Sequence, residues 1–292
     1  MEKNPNNPDS IVLRNKRILL VRRPDGLPRP EDFRLEEQIV VVPTPTPTPL
    51  SRSRSLPLQP AKSSEDSKRN GALILETLYV SIDPAMRGWM SAAKSYLPPV
   101  RLGSVMRAST VSRVLSVSGD GLRDVFPVGA FVRSEIVGVQ SHFVMTNCSR
   151  AKALKLLTRL DAAAAAAAFA TGFPPPNTQL SFASYLGVLG TTGLTAYFGL
   201  LRVGKPEPSD TVLVSGAAGA TGSIVAQIAK HIVGCKTVIG TAGSDEKCAW
   251  LVANGIVDVA INYKTTKSLS GAIRDASSGT LGKGSGVDLV FD

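Results

Sequence analysis

Apolar residues follow two rhythms along this chain, and the change falls near residue 210. Before it the apolar stretches are short and strand-like. Residues 17–21 and 38–42 are rich in aliphatic and β-branched side chains, and 72–82 form a similar run that ends in Asp83-Pro84. Segments 105–117 and 125–132 alternate β-branched with small or polar residues, with glycines between them, which predicts a small barrel-like β domain. Residues 151–170 combine Lys, Leu and a run of alanines and predict a helix, with 171–178 as a loop. After residue 210 strands alternate with helices. Strands are predicted at 211–214, 237–239, 257–261 and 287–291, with helices at 223–232, 245–253 and 268–276. Ile224, Val225, Ile228, Ala229 and Ile232 supply the helical spacing of the first helix. Ser244 caps the second, with Asp245 and Glu246 in its first turn. Such alternation is the mark of an α/β fold with a doubly wound parallel sheet. The expected organisation is a β domain over 1–185 and the α/β domain over 186–292. Tyr197, spaced helically with Leu194 and Leu201, is predicted to be core.

Two features interrupt this plan. Thr44-Pro45-Thr46-Pro47-Thr48-Pro49 is followed by serine alternating with arginine and a polar stretch, so 43–70 reads as a disordered insertion. The chain also stops at Asp292, directly after Leu289-Val290-Phe291. An apolar strand edge left open there would promote aggregation, so truncation is expected.

Composition narrows the function classes. Hydrophobic residues make up 43% and charged residues 19%, enough for a sizeable core. No uncharged apolar run approaches the roughly 18–20 residues that span a bilayer, and no apolar segment follows Glu2 and Lys3 as a secretory signal would require. The three cysteines, Cys148, Cys235 and Cys248, lack Cys-x-x-Cys spacing, and there are two histidines, His142 and His231. Neither a disulfide scaffold nor a Cys/His zinc site is expected; a cytoplasmic, metal-free protein is. The net charge of +10 raises nucleic acid as a partner. The excess is spread, with 20 basic against 14 acidic residues in 1–140 and 13 against 9 afterwards. No aromatics interleave with it, so no nucleic-acid surface is expected.

One motif carries chemistry. Ser215-Gly216-Ala217-Ala218-Gly219-Ala220-Thr221-Gly222 lies between a predicted strand and its helix. Aligned on its last glycine, it is a GxGxxG pattern with Ala217 in the first place. Gly219 lets backbone approach a pyrophosphate, Gly222 lets the helix pack close to the strand, and the helix N-terminus offers free N–H donors to an anion. An NAD site wants a carboxylate at the tip of the second strand. Here the tip reads Thr241-Ala242-Gly243-Ser244, and Lys247 follows one helical turn later. A ribose 2′-phosphate would meet small donors and a cation, which favours NADP(H).

Several blocks together resemble the zinc-independent medium-chain dehydrogenase/reductases, in the group of prostaglandin/leukotriene, alkenal double-bond and curcumin reductases. They are the segment 22–35 with its Pro-x-x-Phe-Arg-Leu ending and Tyr79-Val80-Ser81-Ile82-Asp83-Pro84-Ala85-Met86-Arg87-Gly88. Ser95-Tyr96-Leu97-Pro98-Pro99, Gly193-Leu194-Thr195-Ala196-Tyr197-Phe198-Gly199, Gly243-Ser244-Asp245-Glu246-Lys247 and Asn262-Tyr263-Lys264 complete the set. The resemblance implies a GroES-like β-barrel domain followed by a Rossmann domain that is incomplete at its C-terminus. It implies hydride transfer from NADPH to the β carbon of an enal or enone, with a small α,β-unsaturated carbonyl compound as partner and no membrane. A homodimer is compatible with it. Ala217, Ala218, Gly219, Ala220, Thr221 and Gly222 would meet the pyrophosphate, Gly243 would lie at the second strand's tip, Lys247 and Tyr263 would grip the 2′-phosphate, and Thr195 would lie near the nicotinamide. Some members carry a substrate-contacting tyrosine where this chain has Ala85, and a second family tyrosine would fall beyond Asp292. Tyr96 is then the candidate pocket hydroxyl, while His142 reads as a satisfied structural histidine. Alternatives within reach are a quinone reductase of the same superfamily and a truncated, inactive nucleotide-binding product.

Overall fold

The computed structural model describes residues 2–4, 7–43, 71–95, 97–160, 181–278 and 286–292. The expected insertion therefore lies outside the described residues except for Pro43, as do Tyr96 and the alanine run from 161 onward. The chain divides into two compact units, Met1–Ala183 and Ser184–Asp292.

The first unit is built from two antiparallel sheets. One contains β1 (Glu2–Asn4), β2 (Asn7–Leu20) and β3 (Phe33–Pro43), in that order. The other contains β4 (Gly71–Val80), β5 (Thr110–Ser118), β6 (Phe131–Ser134), β7 (His142–Cys148) and β8 (Leu157–Leu160), ordered β7-β4-β5-β6-β8. Bridges from Arg17 to Gln140 and from Leu19 to Val105 tie β2 to the segments flanking the second sheet. Leu73, Leu75, Val114, Phe126 and Val132 fill the core of the five-stranded sheet. A second cluster gathers Leu20, Met106 and the inner face of α1 (Ala85–Met90), which contributes Met86, Trp89 and Met90, and the short helix α2 (Asp120–Arg123) follows β5.

Three expectations for this unit are corrected. The predicted helix over 151–170 is interrupted within its described part: α3 (Arg150–Leu156), after Ser149 as N-cap, gives way to β8 at Leu157, and 161–170 lie outside the described residues. Leu157 and Leu160 are buried while Thr158 and Arg159 are exposed, and β8 pairs with β6. Sheet pairing thus outweighs helix propensity. In the segment 105–117 the ladder starts at Thr110, because the earlier residues make the isolated bridge to Leu19 and scattered backbone hydrogen bonds to Ile18, Val139 and Ser81 in place of a continuous pairing. In 125–132 only Phe131 and Val132 join a strand; Phe126 instead turns inward, closing a turn through its N–H to the Leu122 carbonyl.

The second unit is a parallel sheet ordered β11-β10-β9-β12, formed by β9 (Thr211–Val214), β10 (Thr237–Ala242), β11 (Val259–Asn262) and β12 (Leu289–Phe291). Its helices are α4 (Thr191–Tyr197), α5 (Ala220–Gln227), α6 (Asp245–Ala253) and α7 (Leu269–Ser278). All six residues of β10 are buried, the continuous pattern of a strand covered on both faces. Val212, Val214, Val225, Val238 and Leu251 form the core around it. Carboxylates close the strand entrances: Asp258 Oδ2 accepts from Val238 N at 2.7 Å, and Asp288 Oδ2 from Thr211 N at 2.8 Å. Here the predicted elements match closely, and α6 has its predicted bounds. Beyond Gln227 the first helix widens into a π-helical turn over Ile228–Val233, ended by Gly234 at φ 76°. Tyr197 is the exception: it is 48% exposed and not core, because Ala196 and Leu200 take the inward positions of that helix.

Candidate cofactor site

In an open parallel sheet ligands bind outside the carboxyl ends of the strands, where the strand order switches direction. In the second unit that point is the end of β9, between β10 and β12. The turn following β9 occupies it. Gly219 N donates to Gly216 O at 2.8 Å, and Gly219 is the N-cap of α5 with no side-chain cap. An α-helix leaves its first N–H groups without intrahelical acceptors, so the donors of Ala220, Thr221 and Gly222 form an anion-facing edge. A Cβ on Gly222 would sit 2.5 Å from Gly216 O and 2.9 Å from Ala217 Cα. Backbone is on both sides, so only glycine lets the helix start this close to the strand.

Ala217 plays a different part from its neighbours. It is buried, and its N–H is committed to Thr241 O at 2.9 Å, lacing the turn to β10. It shapes the turn from below and has no donor left for an anion. Ser215, Gly216, Gly219 and Ala220 are exposed, and Ala218 and Thr221 are half-buried.

The tip of β10 is the second part of the site. Ser244 Oγ accepts from Lys247 N at 3.3 Å and starts α6, and the Lys247 side chain is exposed. A Cβ on Gly243 would lie 2.8 Å from Tyr263 Oη and 3.3 Å from Lys264 Cε. The missing side chain at Gly243 is therefore the space that the Tyr263 hydroxyl and the end of Lys264 overhang. Asn262 anchors that turn: its Nδ2 donates to Asp245 Oδ1 at 2.7 Å, and its Oδ1 accepts from Lys264 N at 3.0 Å. Tyr263 N bonds Ala242 O at 3.1 Å. Sequence reasoning named Gly243, Lys247 and Tyr263 but gave no role to Asn262 or Lys264. The clue available was the Asn-Tyr-Lys block, which ends β11 level with the end of β10.

Thr195 lies on α4 and spends its hydroxyl on Thr191 O, 2.8 Å away in its own helix. In the first unit His142 is a structural residue. Its backbone N–H donates to Asn15 Oδ1 at 2.9 Å, its Nδ1 lies 3.1 Å from Ser141 Oγ, and burial pushes its pKa down. Burial raises the thiol pKa of Cys148, Cys235 and Cys248, with Asp210 and Asp245 adding to the latter two, so none is an activated nucleophile. Among the described residues no three His, Cys, Asp or Glu are grouped to hold a metal ion, and no helix is long and apolar enough to cross a membrane. The first unit also contains a cavity of about 630 Å³ that the sequence did not reveal, whose lining includes Ile18, Phe33, Met86, Met90, Met106 and Val139 together with Asp83 and Arg87.

Comparison with known proteins agrees with both halves of this description. Residues 61–152 match the family described as the N-terminal domain of oxidoreductase, and 220–292 match the one described as zinc-binding dehydrogenase. Prostaglandin reductase 1 of Bos taurus is 40% identical over 224 residues, which cover 77% of this chain and 56% of that protein. The NADPH-dependent curcumin reductase of Escherichia coli (strain K12) is 35% identical over 235 residues, covering 80% and 52%. The crystal structure of CurA from Vibrio vulnificus in complex with NADPH superposes with a TM-score of 0.63 at 28% identity, covering 95% of this chain and 64% of that one. The chain belongs to the medium-chain dehydrogenase/reductases, in the group that contains the prostaglandin and curcumin reductases. It spans little more than half the length of those two curated relatives.

Proposed function

We propose that this chain is part of an NADPH-dependent reductase of activated carbon–carbon double bonds, acting on α,β-unsaturated aldehydes and ketones. The observation that carries the reading is the pair of vacated positions at the strand tips. Gly222 and Gly219 open the turn after β9 to a pyrophosphate, and Gly243 opens the tip of β10 beneath Tyr263 Oη. A 2′-phosphate fits the second space, because the nearest atoms there belong to a hydroxyl and a lysine and none to a carboxylate. The relatives' names support the same chemistry, since curcumin is itself a conjugated enone.

The bound dinucleotide would supply a hydride for the β carbon of the substrate. The chain's own residues do the holding. Ala218, Gly219, Ala220, Thr221 and Gly222 surround the pyrophosphate, while Ala217 braces their turn. Gly243, Lys247 and Tyr263 receive the adenosine ribose phosphate, and Thr195 is the α4 residue assigned to the nicotinamide end. Tyr96 is assigned as the pocket hydroxyl that bonds the substrate carbonyl; it lies outside the described residues. We assign no metal to the reaction, since two histidines and three buried or half-buried thiols of raised pKa are poor material for a zinc site. A cytoplasmic setting suits the unpaired cysteines, and a homodimer is consistent with the reading.

The test is calorimetric titration of the purified chain with NADPH and NADH, followed by turnover of NADPH with 4-phenyl-3-buten-2-one and with a quinone. Tighter binding of NADPH than NADH and consumption of the enone would support the reading. Quinone turnover alone would replace the substrate class, and a folded chain that binds neither nucleotide would overturn the proposal for these 292 residues.

A further inference from the structure

We infer that the open edge of β3 is the surface on which two copies of this chain associate, strand against strand about a two-fold axis at Gln38. The inference gives the homodimer of the reading above a surface, and it stands apart from the cofactor chemistry.

Six strands border the described sheets, and β3 is the longest of them. It has 11 residues, against 3 in β1, 7 in β7, 4 in β8, 4 in β11 and 3 in β12. Its register against β2 runs unbroken from Phe33 to Pro43, with no bulge. The direction of its free main-chain groups follows from β2. Ile18 N donates to Val139 O, Leu20 N donates to Ser104 O, and Lys16 O accepts from Ser141 N, so these three residues face away from β3. Antiparallel ladders alternate, so Ile11, Leu13, Asn15, Arg17 and Leu19 face toward it. Their opposites are Val42, Val40, Gln38, Glu36 and Arg34, whose main-chain groups are thereby taken. The N–H and C=O groups of Leu35, Glu37, Ile39 and Val41 point to the open edge.

Those four residues also share one face of the strand, where Leu35, Ile39 and Val41 are 66%, 64% and 55% exposed. Edge strands are ordinarily guarded by free charges, prolines or bulges. β3 has no proline before Pro43, and its acids are neutralised within the chain. Glu37 pairs with Arg14 at 3.1 Å, and Glu36 pairs with Arg17 and, at 3.5 Å, with Arg34.

The strand is complementary to itself in one register. An axis at Gln38 sets Leu35 of each copy against Val41 of the other, and Glu37 against Ile39. All are outward-facing residues, so the pairs exchange about eight main-chain hydrogen bonds. The Leu35–Val41 pairs are apolar, and no two carboxylates stand directly opposed. An axis at Glu36 or Glu37 would bring like charges face to face, and one at Ile39 would set Leu35 against Pro43, which has no N–H to give. An axis between residues would oppose outward to inward groups. With the axis at Gln38, two three-stranded sheets become one continuous sheet.

Sedimentation velocity of the full chain from about 1 to 100 µM should show a monomer–dimer equilibrium in the micromolar range. Ile39→Lys puts a charge on the edge and Ile39→Pro removes an outward N–H, and each should raise the dissociation constant at least about tenfold. Leu27→Lys, which replaces an exposed apolar residue of the same unit off the strand, should leave it unchanged. Circular dichroism and the melting midpoint of each variant separate lost association from misfolding. The register is read by Gln38→Cys, since the residues at the axis form a non-hydrogen-bonded pair about 4.5 Å apart at Cα, within disulfide reach. Copper phenanthroline should crosslink Gln38→Cys into dimers and leave Arg34→Cys and wild type, with the natural Cys148, Cys235 and Cys248, uncrosslinked. A dimer that both folded Ile39 variants leave intact overturns the surface and keeps the homodimer. Association lost in those variants without crosslinking of Gln38→Cys overturns the two-fold register. A chain still monomeric at about 100 µM overturns surface and homodimer together, while the NADPH titration judges the cofactor reading separately.

Discussion

The turn after β9 and the cavity beside α1 are made of opposite materials. The first is built from backbone: Gly216, Gly219 and Gly222 carry no side chains, and every close approach in it is to a carbonyl or an α carbon. The second is built from side chains, three of them methionines, around about 630 Å³ of apolar space. A backbone-built site has no slack, since peptide groups cannot rotate out of the way. A methionine-lined one can repack, because an unbranched thioether has three torsions to adjust. The comparison predicts that a single methyl group is intolerable in one region and nearly invisible in the other.

Gly222→Ala should give the largest effect. Its Cβ would meet Gly216 O at 2.5 Å, so α5 must shift, at a cost of about 2 kcal/mol in urea denaturation together with loss of NADPH binding. A variant as stable and as competent as wild type would break the contrast. Ser244→Ala removes the acceptor for Lys247 N at the start of α6 and should cost about 1 kcal/mol by the same measurement. Met86→Leu, at the cavity wall, conserves volume and should shift stability by less than about 1 kcal/mol. A shift as large as that of Gly222→Ala would show that the cavity wall is as unforgiving as the turn.

The last prediction concerns acid. Asp32 is buried, and its pKa is lowered first by the Arg29 backbone N–H and then by the Arg22 side chain, whose Nε lies 2.7 Å from Oδ1. A carboxyl with a lower pKa folded than unfolded contributes stability above its unfolded value of about 4, and that contribution is lost as pH falls through the folded value. The urea midpoints of wild type and Asp32→Asn should therefore differ at pH 6 and converge below about pH 4, and parallel curves down to pH 3 would refute the assignment.

Legibility differs between the units for a related reason. In the second unit each element announces itself locally: β10 is a short apolar run, α6 has Ser244 before it and acids after it, and the glycine pattern encodes backbone geometry directly. In the first unit Leu157 and Leu160 belong to a strand only because β6 offers them a partner, and 151–156 alone would have extended as helix through them. Tyr197 misled for the opposite reason. It has helical spacing with Leu194 and Leu201, but Ala196 and Leu200 are the residues turned inward. Periodicity says that a helix has an apolar face and leaves open which of two adjacent stripes is covered.

The sequence by itself determined the doubly wound sheet, the turn that would face a pyrophosphate and the absence of an acid at the tip of β10. Those depend on φ/ψ freedom, caps and runs within about ten residues, which are local properties. Only the tertiary structure decided that Lys264 and Tyr263 overhang Gly243, that Asn262 engages Asp245, that Ala217 spends its N–H on Thr241, and that methionines of α1 meet Ile18 and Val139 around a cavity. Each of these joins residues from separate elements, and strand register and packing, which no local pattern specifies, set which side chains meet.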